Sequence, residues 1–144
     1  MATVYDTAAY ILKSLGPMTA MKLQKLVYYA QAWSLVWDDK PLFEEPIQAW
    51  VNGPVCPALY ACHRGKFEVS GVLGGQIENL TGIQNESIDA VMQAYGQRTS
   101  QWLSDLTHSE LPWKDARRGL APDERGSSVI GLDSMMEYYG SLTA

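Results

Sequence analysis

The sequence predicts a mainly α-helical, compact single domain over residues 1–144, with short extended or β-hairpin segments in its middle. Three observations predict it. Apolar residues recur at helical spacing in separate stretches toward both ends of the chain. Prolines and glycines interrupt the centre: Pro41, Pro46, Pro54 and Pro57, then Gly65, Gly71, Gly74 and Gly75. A composition of 47% hydrophobic and 19% charged residues in 144 is that of one folded apolar core, with no internal repeat or low-complexity tract.

Residues 5–15 form the first expected helix. Ala8, Ile11, Leu12 and Leu15 share a side, Thr3 or Asp6 caps the start, and Gly16-Pro17 stops it. The clearest element follows. TAMKLQKLVYYAQAWSLVWDDK, residues 19–40, begins at the cap Thr19 and carries Leu23, Leu26, Val27, Ala30, Trp33 and Trp37 along one stripe. Lys22, Gln24 and Lys25 lie away from that stripe. Tyr28 and Tyr29 widen it, which predicts a helix buried on more than one side.

KPLFEEPIQAW then reads as an extended or hairpin-like connection. NGPVCPALYACHRG opens on an Asn-Gly-Pro turn, with Pro57 in the first turn of a short helix ending at Gly65. Residues 66–82 read as loop with a short strand. Ile88, Val91, Met92 and Tyr95 mark a helix behind a cap at Asn85. Thr99 or Ser100 caps another containing Trp102, Leu103 and Leu106, and Pro112 starts a short one that Gly119 ends. After the breaker-rich LAPDERGSSVIG, a last helix over residues 133–142 presents Met135, Met136, Tyr138, Tyr139 and Leu142.

The charge balance, 11 Lys and Arg against 16 Asp and Glu, gives a net −5 and weighs against nonspecific binding to nucleic acid. No apolar run approaches the ~18 residues of a spanning helix, so no membrane partner is expected. The N-terminus lacks the basic and apolar regions of a secretory signal. Cys56 and Cys62 suggest no disulfide framework, and the expected location is a reducing cytoplasm. Five tryptophans and eight tyrosines against two phenylalanines exceed the needs of a small core. Residues that join apolar area to a polar handle are favoured at protein interfaces.

No catalytic, cofactor-binding or metal-binding set emerges. Cys56, Cys62 and His63 lack the spacing of a zinc knuckle, and reading them as two buried cysteines and a surface or capping histidine is simpler. Cys62 and His63 are adjacent and point apart on a helix, so they do not form a nucleophile and base. GVLGG at 71–75 matches neither phosphate-binding fingerprint. Arg117 and Arg118 read as a solvated helix end. A DNA-recognition helix over 19–40 would have to use Lys22, Gln24, Lys25 and Gln31 as its exposed face. In LTHSELPWKDAR, residues 106–117, His108, Ser109 and Glu110 are consecutive, whereas a triad converges from apart. The segment reads instead as a structural clamp, with His108 donating to a backbone carbonyl to tie two helices and Trp113 anchored on the core.

Three segments in order carry a resemblance: MKLQKLVYYAQAW (21–33), PLFEEPIQAWVNGPVCPALY (41–60) and LTHSELPW (106–113). Through them the chain resembles the Panacea domain family, the SocA-like antitoxins that include phage-associated GepA-type proteins. The landmark residues Lys25, Tyr28, Trp33, Trp50, Gly53, Pro54, His108, Pro112 and Trp113 are expected to be scaffold. The resemblance implies a helical domain without enzymatic activity or cofactor, encoded beside a toxic partner that it neutralises by protein contact. Alternatives are an adaptor delivering the toxin to a bacterial protease, or a small DNA-binding regulator. The chain is nearly the bare domain, so autoregulation through an added N-terminal DNA-binding module is not expected. Met135 with Met136, and Tyr138 with Tyr139, point about 100° apart on a helix, so one of each pair is expected to reach a toxin or self-association contact.

Overall fold

Thr3 opens the first helix of the computed structural model, which describes residues 2–142. Its hydroxyl accepts from Asp6 N and the Asp6 carboxylate accepts from Thr3 N at 2.8 Å, a reciprocal cap for α1 (Val4–Leu15). Asp6 also reaches across the chain. It accepts from Gln76 N at 2.8 Å and Asn79 Nδ2 at 3.3 Å, which fastens the 3₁₀ turn Ile77–Asn79 to α1. Burial alone would raise the Asp6 pKa, but these donors outweigh it and hold the carboxyl below its ordinary value. The contribution to stability is therefore complete above the ordinary aspartate range and lost as pH falls through the depressed value. Asp6→Ala is expected to cost about 1–3 kcal/mol at pH 7 and to flatten the acid limb of a stability-versus-pH curve. An unchanged acid limb would contradict it.

Helix α2 (Ala20–Asp38) is the centre of the molecule. Thr19 caps it, and α1, α4 (Gly82–Tyr95), α5 (Ser100–Ser109) and α7 (Leu132–Ser141) pack around it. Every residue from Leu23 to Ala32 is buried, so the helix has no solvent face over this stretch. The expectation that Gln24 and Lys25 lie outward is therefore wrong, as is an exposed face containing Gln31. The two amides instead hold irregular backbone. Gln31 accepts from Leu42 N at 2.7 Å and donates to Phe43 O at 2.9 Å, while Gln24 accepts from Cys56 N at 2.9 Å. Trp37 differs in the other sense. It lies on the apolar stripe yet is 47% exposed, its ring stacked on Trp33 at 5.2 Å.

The middle contains two small antiparallel pairs. β1 (Met18–Thr19) pairs with β4 (Glu68–Val69), and β2 (Gln48–Trp50) pairs with β3 (Gly53–Val55) as a hairpin. Pro54 has no amide to give the ladder. Ala49, opposite it, donates to Ser128 O at 2.8 Å, and Ile130 N donates to Ile47 O, so the segment before α7 lies along the outer edge of β2. Pro57 starts α3 (Pro57–His63) as expected from the sequence.

Several helix limits differ from expectation, among them the end of α3 at His63 rather than Gly65. α4 starts a turn earlier, capped by Thr81 rather than Asn85, because Gln84 returns the cap to the Thr81 amide. α6 (Leu111–Ala116) begins one residue before Pro112 and stops short of Gly119, which lies in the turn beyond at φ +90°. Arg117, expected to be solvated, is buried there. Cys56 is buried but Cys62 is exposed, and His63 is a core histidine.

Candidate functional site

The motif segments of α2, the β2–β3 hairpin and α5–α6 converge in space. From α5, α6 and the residue that follows α6 come four side chains that take four successive hairpin carbonyls. Arg117 Nη1 donates to Ala49 O at 3.0 Å and Trp113 Nε1 to Trp50 O at 2.8 Å. His108 Nε2 lies 2.9 Å from Val51 O, and Ser104 Oγ donates to Asn52 O at 2.8 Å. A two-stranded ribbon has too little core of its own to persist in water. Here its turn is fixed from outside by side chains. His108 thus ties a helix to the hairpin rather than helix to helix. Its ring meets Trp113 edge-on at 4.2 Å, and the Arg117 guanidinium lies over the Trp113 ring, 5.1 Å from its centroid.

Gly53 closes the hairpin turn at φ +120°, a backbone region that side-chain-bearing residues rarely adopt. Any Cβ there would sit 2.6 Å from Lys25 Cε and 3.0 Å from Thr107 Oγ1. The glycine of the NGPV turn is therefore what lets the Lys25 side chain pass beneath the hairpin. Lys25 is 1% exposed and reaches the wall of a cavity of about 790 Å³ bounded by α2, the hairpin, α3 and residues 125–127. Burial lowers its pKa to about 8.

His63 stands on the same wall. Gln24 Oε1 is occupied by the Cys56 amide, so Gln24 Nε2 donates to His63 Nε2 at 2.9 Å and the imidazole proton resides on Nδ1. Burial, with the nearby Lys25 charge, holds the His63 pKa below its ordinary value and keeps the ring neutral.

A second polar cluster lies on another side of α2. Glu110, between α5 and α6, accepts from Tyr29 and Tyr139 hydroxyls, both at 2.7 Å and both on Oε1. Since the Tyr139 proton is committed to Glu110, Tyr28 is the donor in its 3.0 Å contact with Tyr139. Burial pushes the Glu110 carboxyl up, opposed by the two hydroxyls, and the net shift is upward. Tyr29 and Tyr95 stack at 4.3 Å, and Trp33 Nε1 donates to Tyr95 hydroxyl at 3.0 Å. Much of the aromatic excess in the composition is core.

Helix α7 divides as its geometry requires, with one residue of each pair turned inward and the other outward. Met135 and Tyr139 are fully buried, at 1% and 0% exposure, because α7 packs that face on α2. Met136 and Tyr138 are half-buried, and Leu132 and Leu142 are exposed near the two ends. The sequence reading missed Glu110, Gln24 and Arg117. A polar residue inside an apolar helical pattern was the available signal for Gln24; Glu110 and Arg117 have none at short range.

Among the described residues, no group of three or more His, Cys, Asp or Glu is gathered to hold a metal ion. No helix among them is long and apolar enough to cross a membrane.

The chain is 29% identical over 112 residues to antitoxin SocA of Caulobacter vibrioides (strain NA1000 / CB15N), an alignment covering 67% of this chain and 58% of that relative. The chain thus spans a little over half the length of the curated relative it matches. No solved structure matches it. The family model for the SocA-like antitoxin, Panacea domain, matches residues 23–114, from the start of the buried stretch of α2 to the clamp on α6. With more than half of its length so matched, the chain belongs to the SocA-like antitoxin family, Panacea domain.

Proposed function

We propose that this protein is an antitoxin that neutralises a cognate toxin, encoded nearby, by binding it directly. Family membership carries the reading. The matched landmarks other than Lys25 are occupied in holding the scaffold, so the contact is assigned to residues outside them. The outer face of α7 supplies these: Met136 and Tyr138 offer adaptable and rigid apolar area, beside the exposed Leu132 and Leu142. The DNA-binding alternative loses its surface, since Gln24, Lys25 and Gln31 are buried and Lys22 Nζ donates to Gly96 O.

Co-expression with the neighbouring gene product, followed by purification, tests the function. Relief of toxicity with a stable complex and undiminished toxin level is expected; relief through disappearance of the toxin would instead indicate delivery to a protease. Met136→Ala or Tyr138→Ala is expected to weaken toxin binding by about tenfold, ~1.4 kcal/mol, with melting unchanged. If each loss of affinity is matched by an equal loss of stability, the contact lies elsewhere.

A further inference from the structure

The cavity beneath the hairpin has a feature the scaffold does not use. Lys25 is buried to 1% exposure, yet among the described residues Nζ has no hydrogen-bond acceptor and no carboxylate partner. Buried charges in proteins are ordinarily paired. The sealed, unpartnered side-chain atoms among the described residues are Ser34 Oγ and Asn85 Oδ1, so Lys25 Nζ keeps an opening, and the wall it lines is that of the cavity.

The remaining lining has a consistent chemistry. Its other basic groups are His63, Lys66 and Arg125, and neither Asp nor Glu lines it, in a chain with 16 acidic residues against 11 basic ones. Three rings stand in the wall: Trp50, Tyr60 and Phe67. Trp50 and Tyr60 meet edge-on at 5.0 Å, and Phe67, 82% exposed, stands at the mouth. A cavity of about 790 Å³ lies within the ~300–1,000 Å³ of small-molecule sites, which combine apolar walls with a few placed polar groups.

We propose that this cavity binds a small organic anion, a ring-bearing carboxylate whose charged end meets Lys25 Nζ and whose ring lies among Trp50, Tyr60 and Phe67. One ammonium at depth, beside a neutral His63, matches a monoanion better than a phosphate dianion. The ammonium gains the acceptor it lacks and the carboxylate finds a single deep cation. The site stands apart from toxin neutralisation, since it rests on the cavity and Lys25 and not on the face of α7.

Calorimetric titration of the full chain tests it with benzoate, indole-3-acetate, inorganic phosphate and uncharged benzyl alcohol. The two carboxylates are expected to bind one to one and raise the melting temperature. Phosphate and benzyl alcohol are expected to bind at least tenfold more weakly. Lys25→Met, of similar length and without the charge, is expected to melt no lower than wild type and to lose carboxylate affinity at least tenfold. Should that variant not fold, Phe67→Ala serves, because an exposed ring can be removed without loss of core. It is expected to weaken indole-3-acetate and leave inorganic phosphate unchanged. Failure of both carboxylates to bind, or equal binding by folded Lys25→Met, overturns the proposal. Failure of the carboxylates together with loss of toxin binding on Lys25→Met also overturns it, and gives the cavity to an acidic segment of the partner.

Discussion

Glu110→Ala is expected to lower stability by about 2–5 kcal/mol at pH 7, because it leaves the buried Tyr29 and Tyr139 hydroxyls without their acceptor at ~1–3 kcal/mol each. Glu110→Gln is expected to behave differently. Both hydroxyls use the same carboxylate oxygen, and the glutamine carbonyl can accept from both. It also removes a buried charge. Because the folded carboxyl titrates above its ordinary value, the wild-type penalty is absent when both states are protonated, below the ordinary glutamate range. It sets in as pH rises through the raised value. Glu110→Gln should therefore equal or exceed wild type at pH 7 and lose that advantage in acid. Denaturant midpoints of the three proteins at neutral and acid pH check both parts. A glutamine variant as unstable as the alanine one would show that the charge, and not the acceptor, holds the cluster.

Trp113→Ala is expected to cost about 3–5 kcal/mol, the range for truncating a large buried aromatic. The indole packs against His108 and Arg117 and donates to Trp50 O, so its loss leaves a void and removes that hydrogen bond together. Trp113→Phe separates the two effects. It keeps most of the ring and loses the donor, for about 1–2 kcal/mol. Toxin neutralisation should fall only as far as the folded fraction falls. A wild-type denaturant midpoint with lost binding would move this segment from scaffold to contact surface.

Much of this architecture is legible in the sequence because it is written at short range. Thr3, Thr19 and Thr99 cap helices where the pattern places them, and Pro57 opens α3. The Thr81 cap is equally local, since Gln84 completes its box three residues on. The polar interior is a different matter. Gln24, Lys25 and Gln31 interrupt an apolar helix, and polarity alone places them in water. Their burial is decided by backbone from elsewhere: Cys56 for Gln24, Leu42 and Phe43 for Gln31, and the bare turn at Gly53 for Lys25. In the candidate site, the sequence brought Gly53, His108 and Trp113 into view as motif residues without saying that they meet. Arg117 was hidden because a basic residue after a short helix ordinarily faces solvent, and only the Ala49 carbonyl gives it a reason to turn inward.

The bond between Tyr28 and Tyr139 joins residues 111 apart in the chain, and this bears on synthesis. Helix α2 is made early, but the face that α7 covers has no cover until Tyr139 has left the ribosome. Until then Tyr28, Tyr29 and Trp33 are presented to chaperones, to proteases and to other nascent chains. Closure over such a span is slow compared with helix formation. A chain cut short before Tyr139 therefore cannot finish its core, and folded protein accumulates only once α7 has been made.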